Sequence, residues 1–127
     1  MTEETRPLIY IIEDHKDVAF MFRTAFTDAG FQVINLDDGQ KAVEQLETQV
    51  PDVILLDLNL PTKSGEEVID MMRADNRYGK VHTILSSSNY LRSDVIGNKF
   101  DHVLEKPFVY TKLRELAILL HQETAST

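Results

Sequence analysis

Four short apolar runs in this 127-residue chain end in residues that can do chemistry. Residues 8–12 run into Glu13-Asp14, 53–56 into Asp57, 81–85 into Ser86-Ser87-Ser88, and 100–104 into Glu105-Lys106-Pro107. Carboxylates gathered at neighbouring strand ends repel one another, so they raise each other's pKa or take up a counter-ion. A divalent cation is the simplest solution. Oxygen ligands without His or Cys select a hard ion such as Mg²⁺, which keeps several waters and binds through one or two carboxylates plus phosphate oxygens. Asp14 and Asp57 are the expected direct ligands, and Glu13, one residue earlier and pointing differently, reaches the ion directly or through water. Lys106 and the Ser86 hydroxyl would then face the oxygens of a phosphoryl group held beside the metal. Such a set serves phosphoryl transfer, which is mostly positioning and charge neutralisation, and the nucleophile at hand is a carboxylate that would form an aspartyl phosphate.

Each residue also has a plainer reading. Asp14 could cap a helix beginning near His15, with Asp17 three residues on completing a box-like cap. Asp57 could close an Asx turn, Lys106 could be a solvated surface charge, and Ser86 to Ser88 could fill a turn. Their joint occurrence, each at the end of a different expected strand, favours a site. His15, His82, His102 and His121 show no metal-ligand spacing and are read as ordinary residues.

The elements that must position these groups follow from periodicity. After the first run, Val18, Met21, Phe22, Ala25 and Ala29 recur at helical spacing up to a stop at Gly30. Residues 31–36 form a second β-like run, and after Asp37-Asp38-Gly39 a helix turns Ala42, Val43 and Leu46 inward. The continuous run 53–56 suits a central strand covered on both faces. Residues 59–65 read as a loop, followed by a helix through Val68, Ile69, Met71 and Met72 to about Asn76. A strand at 81–85, a short helix at 91–96, a strand at 100–104 and a last helix turning Val109, Leu113, Leu116, Ala117 and Leu120 to one face complete the series. Alternating βα units call for a parallel α/β sheet with helices on both faces, and ligands then bind beyond the carboxyl ends of the strands.

Composition narrows the function classes. Thirteen Lys plus Arg against twenty-one Asp plus Glu leave a net charge of −8, a field that repels nucleic acid and anionic membrane surfaces. There is no cysteine, so disulfides and thiolate chemistry are out, and a reducing cytoplasm is compatible. The apolar runs are too short to cross a bilayer, and the start, Met1-Thr2-Glu3-Glu4, is acidic where a secretory signal would be basic. At this length one domain is expected, read as an N-terminal extension over 1–6, a folded unit over 7–121 and a tail over 122–127.

Five motifs in order resemble the receiver domain of bacterial two-component response regulators. They are Ile11-Ile12-Glu13-Asp14, Leu55-Leu56-Asp57-Leu58-Asn59-Leu60-Pro61, Gly65, Leu85-Ser86-Ser87 and Glu105-Lys106-Pro107-Phe108. The resemblance implies a doubly wound, flavodoxin-like sheet of order 2-1-3-4-5. It implies that Asp57 accepts a phosphoryl group from a histidine kinase, a phosphotransfer protein or a small phosphodonor. It further implies that Mg²⁺ binds through Asp14, Asp57 and the backbone carbonyl of Asn59, with Glu13 as the outer acid, and that Lys106 and Ser86 bind the phosphoryl oxygens. A stand-alone switch of the chemotaxis-regulator type is expected, read by a downstream protein rather than by nucleic acid or membrane.

Three features depart from the family pattern. Val103 stands three residues before the lysine, where most receivers carry Tyr or Phe, so the aromatic switch is absent or rerouted through His102 or Tyr90. The interval from Ser86 to Lys106 is slightly short, which trims the fourth helix or its loops. The serine run allows a slip in which Ser87 takes the hydroxyl role, although Ser86 is preferred because the family places a small residue next. Two other readings stand beside the switch: a metal-dependent phosphohydrolase with an Asp nucleophile, and a non-phosphorylated binding module. The first wants a second acid two residues after the nucleophile, where this chain has Asn59, and the second usually lacks the acids or the lysine, which are all present. On the last helix, Tyr110, Arg114, Ile118 and His121 form an outer flank that is a candidate partner or homodimer face.

Overall fold

The computed structural model describes residues 5–125, apart from the side chain of Tyr90. Residues 1–4 and 126–127, the outer parts of the expected extension and tail, lie outside the described residues. Five strands, β1 (Leu8–Ile12), β2 (Gln32–Leu36), β3 (Val53–Asp57), β4 (His82–Ser87) and β5 (His102–Glu105), alternate with five helices. These are α1 (Lys16–Asp28), α2 (Gly39–Thr48), α3 (Gly65–Arg73), α4 (Tyr90–Ile96) and α5 (Tyr110–Ala125). The strands pair in parallel in the order β2-β1-β3-β4-β5, as expected, and β3 is central.

Every residue of β1 and β3 is buried, which is why their apolar runs do not alternate. Alternate side chains feed two cores. Tyr10, Ile12, Ile54 and Leu56 pack with Leu46, Val68, Ile69, Met72 and Ile96 under α2, α3 and α4. Ile9, Ile11, Val53 and Leu55 pack with Phe22, Phe26, Leu113, Ala117 and Leu120 under α1 and α5. The first core also holds two tyrosine hydroxyls that donate to carbonyls at the end of α2, Tyr10 to Gln49 O at 2.5 Å and Tyr78 to Leu46 O at 3.1 Å. They satisfy acceptors that a helix end leaves open.

Local chemistry shifts several expected boundaries. α3 stops at Arg73 rather than near Asn76, because Asp75 accepts from Arg77 N–H at 2.9 Å and caps a separate 3₁₀ turn over Asn76–Tyr78. The inward face of α1 carries Ala19 and Phe26 rather than Met21, which is exposed. Val109 precedes α5 and is exposed instead of joining its inner face. His121 is not on the outer flank. It packs edge-on against Phe31 with ring centroids 5.6 Å apart, beneath Gly30, whose φ of 107° ends α1 as its glycine predicts. α5 runs on to Ala125, so four residues of the expected tail are helical.

Register brings the chemical residues to one edge of the sheet. Ile12 pairs with Leu56, Asp57 with Ser86 and Ser87 with Glu105. Glu13, Asp57, Ser86 and Lys106 therefore emerge side by side. Among the described residues no helix is long and apolar enough to cross a membrane.

Candidate functional site

Asp57 is the last residue of β3 and is buried. The chain leaves it under Gly65, where a Cβ would lie 2.3 Å from the Asp57 carbonyl oxygen, so only glycine lets α3 start this close to the strand end. Asn59 N–H donates to Asp57 Oδ1 at 3.3 Å. Glu13 follows β1 and is buried as well, its N–H donating to Leu36 O at 2.9 Å. Its Oε1 accepts from Lys106 Nζ at 3.0 Å and its Oε2 from His15 N–H at 3.1 Å. Lys106 Nζ also lies 3.7 Å from Asp57 Oδ2.

Glu13, Asp14 and Asp57 each offer a carboxylate oxygen within 4.8 Å of the others. Burial, and next the charge of Glu13, push the Asp57 carboxyl up to about 7, while Lys106 and the Asn59 N–H pull it the other way without prevailing. One lysine against three carboxylates leaves the cluster short of positive charge. An all-oxygen set of this kind fits a hard divalent cation. Asp14 is exposed and does not cap α1, whose N-cap is His15 with no side-chain bond, so the plainer reading of Asp14 falls away.

The serines separate cleanly. Ser86 is fully buried and its hydroxyl has no hydrogen-bond partner among the described residues, an arrangement that costs free energy unless a ligand supplies one. Ser87 Oγ is engaged in a turn, accepting from Asn89 N–H at 3.0 Å, and Ser88 is exposed. This difference supports Ser86 over Ser87. Val103 is exposed on β5, so no aromatic side chain fills the place behind Ser86 from that position.

Two features were not picked out from the sequence. Residues 58–64, which carry Asn59, are tied to the start of α2 through Thr62 and Asp38, a contact hidden in an ordinary-looking Asp-Gly turn. Behind them, Glu66 on α3 is ion-paired with Arg92 on α4 and with Lys99 at 3.1 Å, and Lys99 also reaches Asp70 at 2.8 Å. Pairs between elements leave no periodic signal, and the neighbouring Glu66 and Glu67 of the first turn of α3 are all that the sequence shows of them.

A family model of the response regulator receiver domain matches residues 9–118. The transcriptional regulatory protein PrrA of Mycobacterium tuberculosis is 30% identical over 99% of this chain and 55% of its own length. The sensor histidine kinase TmoS of Ectopseudomonas mendocina is 27% identical over 88% of this chain and 12% of its own length. This chain thus spans about half of the first relative and a small part of the second. Among solved structures, the receiver domain of a sensor histidine kinase from Pseudomonas aeruginosa superimposes with a TM-score of 0.80 at 25% identity, covering 96% of this chain and 99% of that one. That structure holds a magnesium ion coordinated in its active site cleft.

Proposed function

The chain belongs to the response regulator receiver domain family, and from that membership we propose that Asp57 is the residue that takes the phosphoryl group. The family is one of phosphoacceptor signalling modules rather than of catalytic enzymes. The observation that carries the residue assignment is the cluster itself: a buried carboxylate between two acids and a lysine, with the unpartnered Ser86 hydroxyl paired beside it in the sheet.

Asp14, Asp57 and the Asn59 backbone carbonyl would hold Mg²⁺, with Glu13 as the outer acid, and the donor set fits that ion. When bound, the ion supplies charge neutralisation and a template for phosphoryl oxygens. The Asp57 carboxylate attacks the phosphorus of a phosphohistidine. An oxygen–phosphorus bond forms, the phosphorus–nitrogen bond breaks, and the electron pair leaves on the imidazole, which takes a proton from solvent. Lys106, now paired with Glu13, would pair with the phosphoryl oxygens, and the Ser86 hydroxyl would donate a hydrogen bond to one of them while keeping its proton. Attack by water later returns the carboxylate and inorganic phosphate.

The donor would be a sensor histidine kinase or a phosphotransfer protein in the cytoplasm, and the reader a protein partner. Incubation with acetyl phosphate and Mg²⁺, followed by intact mass, should show one phosphoryl group per chain and none on Asp57→Asn. Label on another residue would sink the assignment. Sustained release of phosphate from a panel of monoesters would instead favour a phosphohydrolase.

A further inference from the structure

We infer that Thr62 and Asp38 form a staple that makes Thr62 a positioning residue for the metal site. The inference rests on the reading that the Asn59 carbonyl is a metal ligand, and it gives the N-terminus of α2 a part in a site to which it contributes no ligand.

Thr62 adopts φ 64°, in the left-handed region, where a β-branched side chain is a steric outlier. Such a conformation persists only when its surroundings over-determine it. Here the surroundings are the bond from Lys63 N–H to Pro61 O at 2.8 Å, which closes a tight turn about Thr62, and the first turn of α2. Thr62 Oγ1 donates to Asp38 Oδ1 at 2.8 Å and accepts from Gln40 N–H at 3.0 Å. Asp38 Oδ1 also accepts from Lys41 N–H at 2.9 Å, so the group that caps α2 is the group that grips Thr62. Gly39 N–H donates to Pro61 O at 3.0 Å, and a Cβ on Gly39 would lie 1.9 Å from Lys63 O, so the two backbones meet closely enough to demand glycine. The tip of the loop is therefore clamped over residues 61–63.

The base of the loop is held as firmly. Leu58 N–H donates to Ser86 O and Gly65 N–H to Leu58 O, both at 3.0 Å. Between base and clamp lie only Asn59 and Leu60, with Asn59 exposed. Without the staple, residue 62 is free to leave φ 64°, a threonine or valine by relaxing to negative φ and a glycine by sampling both signs, and a change of direction so close by would turn the Asn59 peptide. Ligands must be held within about 0.5 Å of their working geometry, so a turned peptide weakens the metal site.

The test compares Thr62→Gly, Thr62→Val and Thr62→Ser by the Mg²⁺ dissociation constant, from calorimetry or amide shifts, and by melting temperature in chelator. Glycine accepts φ 64° freely but has no hydroxyl. Its melting temperature in chelator should stay within a few degrees of wild type while Mg²⁺ binds about fivefold more weakly, part of the worth of the two hydrogen bonds that the hydroxyl makes. Serine keeps the hydroxyl and should bind within about twofold of wild type. Valine should bind as weakly as glycine, and if it fails to fold the glycine variant still decides the question. A glycine variant that binds Mg²⁺ like wild type overturns the staple. So does a loss of affinity that only tracks a loss of melting temperature and is not rescued by serine. Wild-type protein that binds no Mg²⁺ would overturn the metal-site reading itself, and the staple with it.

Discussion

Lys106 Nζ stands 3.0 Å from Oε1 of Glu13, a carboxylate with no side-chain exposure, and is nearer to it than to Asp57. In the absence of a cation the lysine is the charge that makes burial of Glu13 tolerable. Removing one partner of a buried pair strands the other. Lys106→Met should therefore destabilise the protein in chelator by about 2 kcal/mol, below the usual cost for a fully buried pair because Lys106 is one-fifth exposed. Adding Glu13→Gln should recover part of the loss. Urea unfolding of the two single variants and the double checks this, and a Lys106→Met variant as stable as wild type would show that Lys106 does not offset the burial of Glu13.

The acid cluster also sets a pH dependence. Asp57 is held at about 7 by burial and by Glu13, above the 3.8 of a free carboxyl. A raised folded value means that its stabilising share is fully present below about 3.8 and is lost as pH rises through 7. In chelator, wild type should therefore decline between these limits more steeply than Asp57→Asn. The mutant's advantage should grow with pH and level off above 7 at several degrees of melting temperature. Mg²⁺ should stabilise wild type more than the mutant. A mutant that melts lower than wild type in chelator above pH 7 would mean that Asp57 is held by favourable contacts instead.

The sheet, its order and the strand-end acids were legible because burial on both faces writes continuous apolar runs, and each run ends where its polar residue begins. The candidate site residues could be read as a set, since chain order and fold order coincide along the carboxyl ends of β1, β3, β4 and β5. What escaped was set by contacts between elements. The end of α3 depended on Asp75 bonding its own backbone, the turn of α1 on which helical stripe Phe26 completes, and the placing of His121 on Phe31 across the fold. The strain at Thr62 was invisible, because nothing in the sequence assigns positive φ to a threonine.

The two neighbouring serines should behave differently. Ser86→Ala removes a buried hydroxyl that has no partner, so stability should stay the same or rise by up to about 1 kcal/mol. The same change should blunt the amide-shift response to beryllofluoride, a phosphoryl mimic, because the group that would meet it is gone. Ser87→Ala removes the turn bond to Asn89 and should cost about 1 kcal/mol while leaving labelling by acetyl phosphate intact. Reversed outcomes would assign the hydroxyl role to Ser87.

Phosphorylation adds about one negative charge and three acceptor oxygens at the mouth of the sheet. A population shift needs contacts that favour one conformer over another, and the groups able to make them are Lys106 and Ser86. Val103 is exposed and has no ring to swing inward, whereas Glu66, just behind residues 58–64, is paired with Arg92 and Lys99. The response should therefore run from the loop after Asp57 through the start of α3 into α4. With beryllofluoride and Mg²⁺, amide shifts should be largest over residues 58–64 and 87–96 and weak on the outer face of β5. Glu66→Gln, which loosens the ion pairs without touching the site, should shrink the α4 response and leave that of residues 58–64. Large shifts centred on Val103 and on Tyr110, Arg114 and Ile118, with little change from Ser88 to Arg92, would show that the signal leaves through β5 and α5.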